Sequence, residues 1–176
     1  PRSVGFELSG DICHIETGEI ERRVMGMCDD AIATKVLSPL HTLWDIPSEW
    51  TYEQAASVPV VYVTAYYSLI VRGRMRKRQT VLIHAGTGGV GQAAIRIALN
   101  RECEVFTTCS TQEKRDFLTS TFPTLNPQNI FNSRSIEFER KIMLQTHGKG
   151  VHLVLNSLSE EKLQASMRCV RQHGHF

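Results

Sequence analysis

The stretch VLIHAGTGGVGQAAIRIAL, residues 81–99, decides how this chain folds. With Thr80 it opens as the short apolar run TVLIH, which predicts a buried strand. It then meets four glycines, Gly86, Gly88, Gly89 and Gly91, and continues as GVGQAAIRIALN, whose apolar residues recur at helical spacing. Side chains have been removed where a strand hands over to a helix. In that context Gly86-x-Gly88-x-x-Gly91 is the spacing of a dinucleotide-binding loop. Gly86 permits the sharp turn, Gly88 and Gly89 let a pyrophosphate approach the main chain, and Gly91 lets the helix lie close on the strand. The helix N-terminus then presents unpaired N–H groups and the positive end of its dipole to the phosphates. No G-K-[ST] follows, so the loop is not of the Walker type.

Outward from this loop the alternation is regular. EVFTTC predicts a strand and TQEKRDFLTS a helix; NIFN predicts a short strand and SIEFERKIMLQT a helix closed by Gly148. VHLVLN and SEEKLQASMRCV repeat the pair, and GHF at 174–176 reads as a strand beginning. Strands alternating with helices predict parallel βαβ units with helices on both faces. Upstream, TYEQAAS carries a capping-box spacing from Thr51 to Gln54. PVVYVTAYYSLIVRG predicts a helix with Pro59 in its first turn and Gly73 at its end. Residues 1–50 have another texture: FELSG, EIERRVMGMC and AIATKVL read as strands between turns. The expected division is a β-rich segment at 1–57 and an α/β segment at 58–176.

The second strand of the α/β segment indicates the nucleotide. A site for NAD usually ends this strand in an acid that holds the ribose hydroxyls. Here it ends Thr107-Thr108-Cys109-Ser110, and Lys114 and Arg115 follow in the next helix. A hydroxyl with a cation suits a 2′-phosphate, which an acid would repel. A solvated helix face, with Glu113 pairing its neighbours, is the alternative reading of the two cations. Arg134, beyond the third strand, is a further candidate for the adenosine side.

The chain has 176 residues, 41% hydrophobic and 22% charged, with a net charge of +2. That suits one domain with a real core, or one domain and part of another, and gives no global case for a nucleic-acid or membrane partner. No apolar run reaches the ~20 residues of a membrane span. The opening PRSVGFELSG is too polar for a secretory signal and lacks an initiator Met, so a piece of a longer chain is expected. Cys13, Cys28, Cys103, Cys109 and Cys169 are odd in number and scattered, which fits reduced cytoplasmic thiols better than a disulfide framework or a zinc site.

Several stretches together resemble the medium-chain dehydrogenase/reductase superfamily, and within it the enoyl reductases of animal fatty acid synthases. They are FELSG (6–10), RVMGM (23–27), EQAASVPVVYVTAYYSLIVRGR (53–74), LIHAGTGGVGQAAI (82–95), VFTT (105–108), EKR (113–115), NSRSIEFE (132–139) and GKGVHLVLNSLSEEKLQASMRCV (148–170). Reducing polyketide synthases and quinone-reductase-like proteins carry related domains. The resemblance implies a fragment of a GroES-like β-rich domain followed by a Rossmann domain. It also implies NADPH as hydride donor to a trans-2-enoyl thioester held on an acyl carrier protein, no metal, and a parent that is a homodimer of linked modules. It places Gly86, Thr87, Gly88, Gly89 and Val90 on the pyrophosphate, Thr64 at the nicotinamide end, Ser110, Lys114 and Arg134 at the 2′-phosphate, and Asn156 along the cofactor cleft. Packing explains Thr64 and Asn156 as readily. The chain departs from the family at Lys77-Arg78-Gln79, at Arg101-Glu102 and at His152. With four strands and the opening of a fifth, the sheet is expected to be cut short. The proton donors of the resembled enzymes then lie beyond Phe176, no residue of this chain is catalytic, and the chain alone is inactive.

Two features point elsewhere. Arg72, Arg74, Arg76, Lys77 and Arg78 crowd into seven residues without an acid. That could make a non-enzymatic nucleotide- or RNA-binding module. Cations after a helix C-terminus in a solvated turn explain the run more simply, and no aromatics interleave it as in a base-stacking platform. Of the seven histidines, the pair His173-x-His175 lacks further ligands for a metal.

Overall fold

The structure, a computed structural model, describes residues 4–14 and 16–176. They form two compact units that divide between Val63 and Thr64. The boundary expected after residue 57 precedes a helix, whereas the division falls inside it.

The first unit is a three-stranded antiparallel sheet. β1 (Glu7–Cys13) pairs with β2 (Ile20–Met27), and β2 pairs with β3 (Leu43–Asp45). Helix α1 (Tyr52–Ala56) starts on the expected capping box: Thr51 Oγ1 accepts from Gln54 N at 3.2 Å, and Thr51 N donates to Gln54 Oε1 at 3.0 Å. The Tyr52 hydroxyl donates to Asp11 at 2.5 Å, and the Arg23 guanidinium lies 4.5 Å over the Tyr52 ring. The strand expected at 31–37 does not form. Its backbone turns back on the chain start, with Ile32 N donating to Val4 O, and Leu37 is 98% exposed, so no apolar face forms there to be buried. The third strand is LWD at 43–45 instead.

Helix α2 (Pro59–Tyr66) runs on into a π-helical stretch, Tyr67–Arg72, where Gly73 N donates to Ser68 O, five residues back. From Tyr52 to Arg72 this helical run has 21 residues, and an 18-residue window within it has a mean hydropathy of 1.3, long and apolar enough by length and composition to cross a membrane. The expectation that no such run exists is corrected to that extent. The face carrying Ala65 and Leu69 is buried within protein, and a Cβ on Gly73 would lie 2.6 Å from Leu153 in the second unit's own sheet.

That second unit is doubly wound. It comprises β4 (Thr80–Ile83), α3 (Gly89–Asn100), β5 (Glu104–Cys109), α4 (Gln112–Thr121), β6 (Ile130–Asn132), α5 (Glu137–Gln145), β7 (Val151–Leu155), α6 (Glu160–Arg168) and β8 (Val170–His175). The strands are all parallel, in the order β6-β5-β4-β7-β8. This is the Rossmann order through its fifth strand, and it reverses between β4 and β7, which places a ligand crevice beyond their carboxyl ends. Leu82, Phe106, Phe131, Phe138, Ile142, Val151, Val154, Ala165 and Cys169 fill one core. Two expectations change. The last helix stops at Arg168, and the fifth strand is already formed from Val170, not merely opening at 174.

Two of the three departures from the family pattern, at Lys77-Arg78-Gln79 and at Arg101-Glu102, meet one another. Glu102 takes φ +57° at the end of α3, a conformation glycine adopts freely and other residues adopt at about 1 kcal/mol. Its carboxylate pairs with Lys77 at 3.7 Å and Arg78 at 3.1 Å. One carboxylate thus pairs with two cations of the basic run at a solvated turn and offsets one of their two charges.

Candidate dinucleotide site

Strand β4 delivers the glycine loop to the crevice, and β5 holds it there. Gly86 N donates to Thr108 O at 3.0 Å, and Ala85 N to Thr108 Oγ1 at 3.3 Å. Ala85 takes φ +51°, and its carbonyl accepts from Gly88 N at 2.9 Å, closing the turn that starts α3. Two glycines are sterically required. A Cβ on Gly86 would stand 2.2 Å from Thr107 Oγ1, and one on Gly91 would stand 2.3 Å from Ala85 O and 2.8 Å from Gly86 Cα. Gly88 differs: a Cβ there meets only Ala85 O at 3.3 Å. Packing therefore explains Gly86 and Gly91 but not Gly88, which is exposed together with Gly89. Gly88 caps α3 with no side-chain acceptor, so the first-turn N–H groups stay available to an anion. Thr87 O accepts from Gln92 Nε2 at 2.8 Å, and Val90 sits half-buried in the first turn of α3.

Beyond β5 and β6 a cleft of about 160 Å³ is lined by Ser110, Thr111, Gln112, Arg115 and Asn132, with Cys109 and Phe131 beneath. The lining contains no carboxylate, as the sequence of the β5 end predicts. Ser110 lines it directly. Lys114 lies in the first turn of α4, whose cap Thr111 accepts from Lys114 N at 3.3 Å, and Arg134 donates its backbone N–H to Asn132 Oδ1 at 2.9 Å. Both side chains are exposed and neither lines the cleft. Arg115 does, but its guanidinium also donates to Ile130 O and Pro127 O, tying α4 to the start of β6. Of the two cations that the sequence places after β5, the cleft is thus lined by Arg115 and not by Lys114; Asn132 is a polar group here that sequence reasoning passed over, and its position at a strand end was the available signal.

The remaining candidates are placed less tellingly. Thr64 is exposed on α2, one turn before the π-helical stretch. Asn156 follows β7 at the crevice, but both ends of its amide are engaged locally: Nδ2 donates to Leu158 O at 2.8 Å, and Oδ1 accepts from Leu158 N at 3.2 Å. It shapes the loop after β7.

His84, at the end of β4, is 3% exposed. Nδ1 lies 3.0 Å from Thr108 Oγ1, Nε2 lies 2.8 Å from Ser166 Oγ, and the ring meets Phe138 edge-on at 5.1 Å. Burial alone pushes its pKa down to about 4. The unfolded chain takes up a proton near pH 6.5 while the folded one refuses it. Stability from this group is therefore complete above that value and falls as the pH drops towards 4, by about 2 kcal/mol at pH 5. Thermal melts from pH 7 to 4.5 are expected to show this loss in the wild type and a shallower one in His84→Gln; equal slopes would assign the acid sensitivity elsewhere.

Residues 89–176, half of the chain, match the family model described as zinc-binding dehydrogenase. The chain belongs to that family. Among solved structures, the CurK enoyl reductase superposes with a TM-score of 0.87 at 32% identity, over 97% of this chain and 51% of that one. Mycobacterial Rv1454c, solved in complex with NADPH, superposes with a TM-score of 0.81 at 25% identity, over 97% of this chain and 54% of that one. The highly reducing polyketide synthase poxF of Penicillium oxalicum is 38% identical over 98% of this chain and 7% of its own length. The chain thus spans about half of these solved structures and a small fraction of that synthase. The zinc in the family's name finds no ligands here: among the described residues no three His, Cys, Asp or Glu side chains gather to hold a metal. Cys103, Cys109 and Cys169 are buried thiols, and burial pushes Cys169 up to about 12, unlike a zinc thiolate.

Proposed function

We propose that this zinc-binding dehydrogenase relative is the NADPH-binding part of an enoyl reductase in a reducing polyketide synthase-type protein. One observation carries it. At the topological switch point Gly88 and Gly89 stand bare over the uncapped start of α3, beside an acid-free cleft at the end of β5. The loop's N–H groups bind the pyrophosphate, and Ser110, Lys114 and Arg134 receive the 2′-phosphate. Bound NADPH supplies the hydride that goes to the β-carbon of a trans-2-enoyl thioester carried on an acyl carrier protein. The chain's own work is to hold that donor in a fixed place on a rigid sheet. The matched synthase favours the polyketide over the fatty acid assignment. Linked modules of one polypeptide, a homodimeric parent and a cytoplasmic setting complete the reading, and the free state of all five cysteines supports the last.

Cofactor choice tests it. A charge-assisted hydrogen bond contributes about 1.5–3 kcal/mol, so Lys114→Ala is expected to weaken NADPH by roughly one to two decades and leave NADH nearly unchanged. Fluorescence titration with both nucleotides measures this. Equal losses would make Lys114 structural.

A further inference from the structure

We propose that His84 is a positioning residue for the pyrophosphate loop, acting through a buried hydrogen-bond chain that runs from α6 to Ala85. The chain is continuous and every donor in it has one acceptor. Ser166 Oγ donates to Lys162 O at 2.7 Å, so it accepts from His84 Nε2–H at 2.8 Å. His84 Nδ1 is then the acceptor for the Thr108 hydroxyl at 3.0 Å, and Thr108 Oγ1 accepts from Ala85 N at 3.3 Å. The opposite tautomer leaves the Thr108 proton without a partner and diverts the Ser166 proton from Lys162. Satisfying the buried groups therefore fixes one tautomer. His84, Thr108 and Ser166 are all 3% exposed or less, so none of these bonds can be exchanged for water cheaply.

What the chain holds is the least comfortable residue of the loop. Ala85 sits at φ +51°, where an alanine does not rest unaided. Its carbonyl receives Gly88 N and lies directly against the Cα of Gly91, so its orientation sets the turn from which the N-terminal N–H groups of α3 point. The link from α6 to the loop spans 82 residues of sequence between His84 and Ser166. It goes beyond the nucleotide assignment but rests on it for its ligand.

The test uses Ser166→Ala and Thr108→Val, which break the chain on opposite sides of the imidazole, together with the double variant. NADPH and adenosine 2′-monophosphate are the two probes. The second reaches the cleft at β5 but has no pyrophosphate. Each single variant is expected to raise the NADPH dissociation constant about tenfold and to leave that of adenosine 2′-monophosphate unchanged. The double variant is expected to be no worse than the poorer single one, because the chain is already broken. Amide hydrogen exchange should rise at residues 85–91 and not at 81–83. Equal losses for both probes, additive losses, or unchanged loop exchange would each overturn the positioning role. If the wild type fails to bind NADPH, the nucleotide assignment falls, while the exchange pattern still decides whether the chain orders the loop.

Discussion

Gly91→Ala is expected to lower stability by about 3 kcal/mol, roughly 6–12 °C in melting temperature, and to abolish nucleotide binding with it. The added methyl would meet Ala85 O at 2.3 Å and Gly86 Cα at 2.8 Å. Both are backbone atoms of a loop already fixed by β5, so relief requires α3 to lift off the strand. Gly88→Ala is the matched control. Its backbone, at φ −72° and ψ 161°, suits alanine, and its one close neighbour is Ala85 O at 3.3 Å. It should melt within a few degrees of the wild type, yet lose NADPH affinity because the methyl stands where the pyrophosphate approaches. Melting curves and titrations of the pair separate packing from binding. Similar melting temperatures for the two variants would contradict the steric account.

The second large effect concerns turnover. The chain spans 51% of the CurK enoyl reductase. We expect the 176-residue chain alone to show no NADPH oxidation with crotonyl thioester above a Gly88→Asp background. A protein carrying the remaining half of the enoyl reductase fold should turn over. Hydride transfer needs the reacting carbons held near 3–3.5 Å, and positioning of that kind contributes up to about 7–11 kcal/mol. Clear turnover by the short chain would place catalytic groups inside it and contradict the assignment of none.

The loop and the sheet were legible because their signals are local. Gly86, Gly88 and Gly91 carry meaning at fixed spacing, and β4, β5 and β7 are apolar runs between helical patterns. Of β8 only the end was legible, in GHF; VRQHGH has no apolar run, and its strand state from Val170 comes from pairing with β7 at Val151↔Val170 and Leu153↔His175. The strand expected at 31–37 failed for the opposite reason, since local propensity found no surface to cover. In the site, Ser110 was readable from its place at a strand end. Nothing local predicts that Asn156 turns onto Leu158, that Arg115 anchors to β6, or that Ser166 meets His84. Those partners are made by the fold.

The most direct measurement is a fluorescence titration of the wild-type chain with NADPH, with Gly88→Asp alongside. A carboxylate at that position opposes the phosphates where the loop admits them. Saturable binding of NADPH, tighter than of NADH and lost in Gly88→Asp, is the predicted result. No saturable binding by the folded wild type, or binding indifferent to Gly88→Asp, would contradict the assignment of this crevice to a dinucleotide.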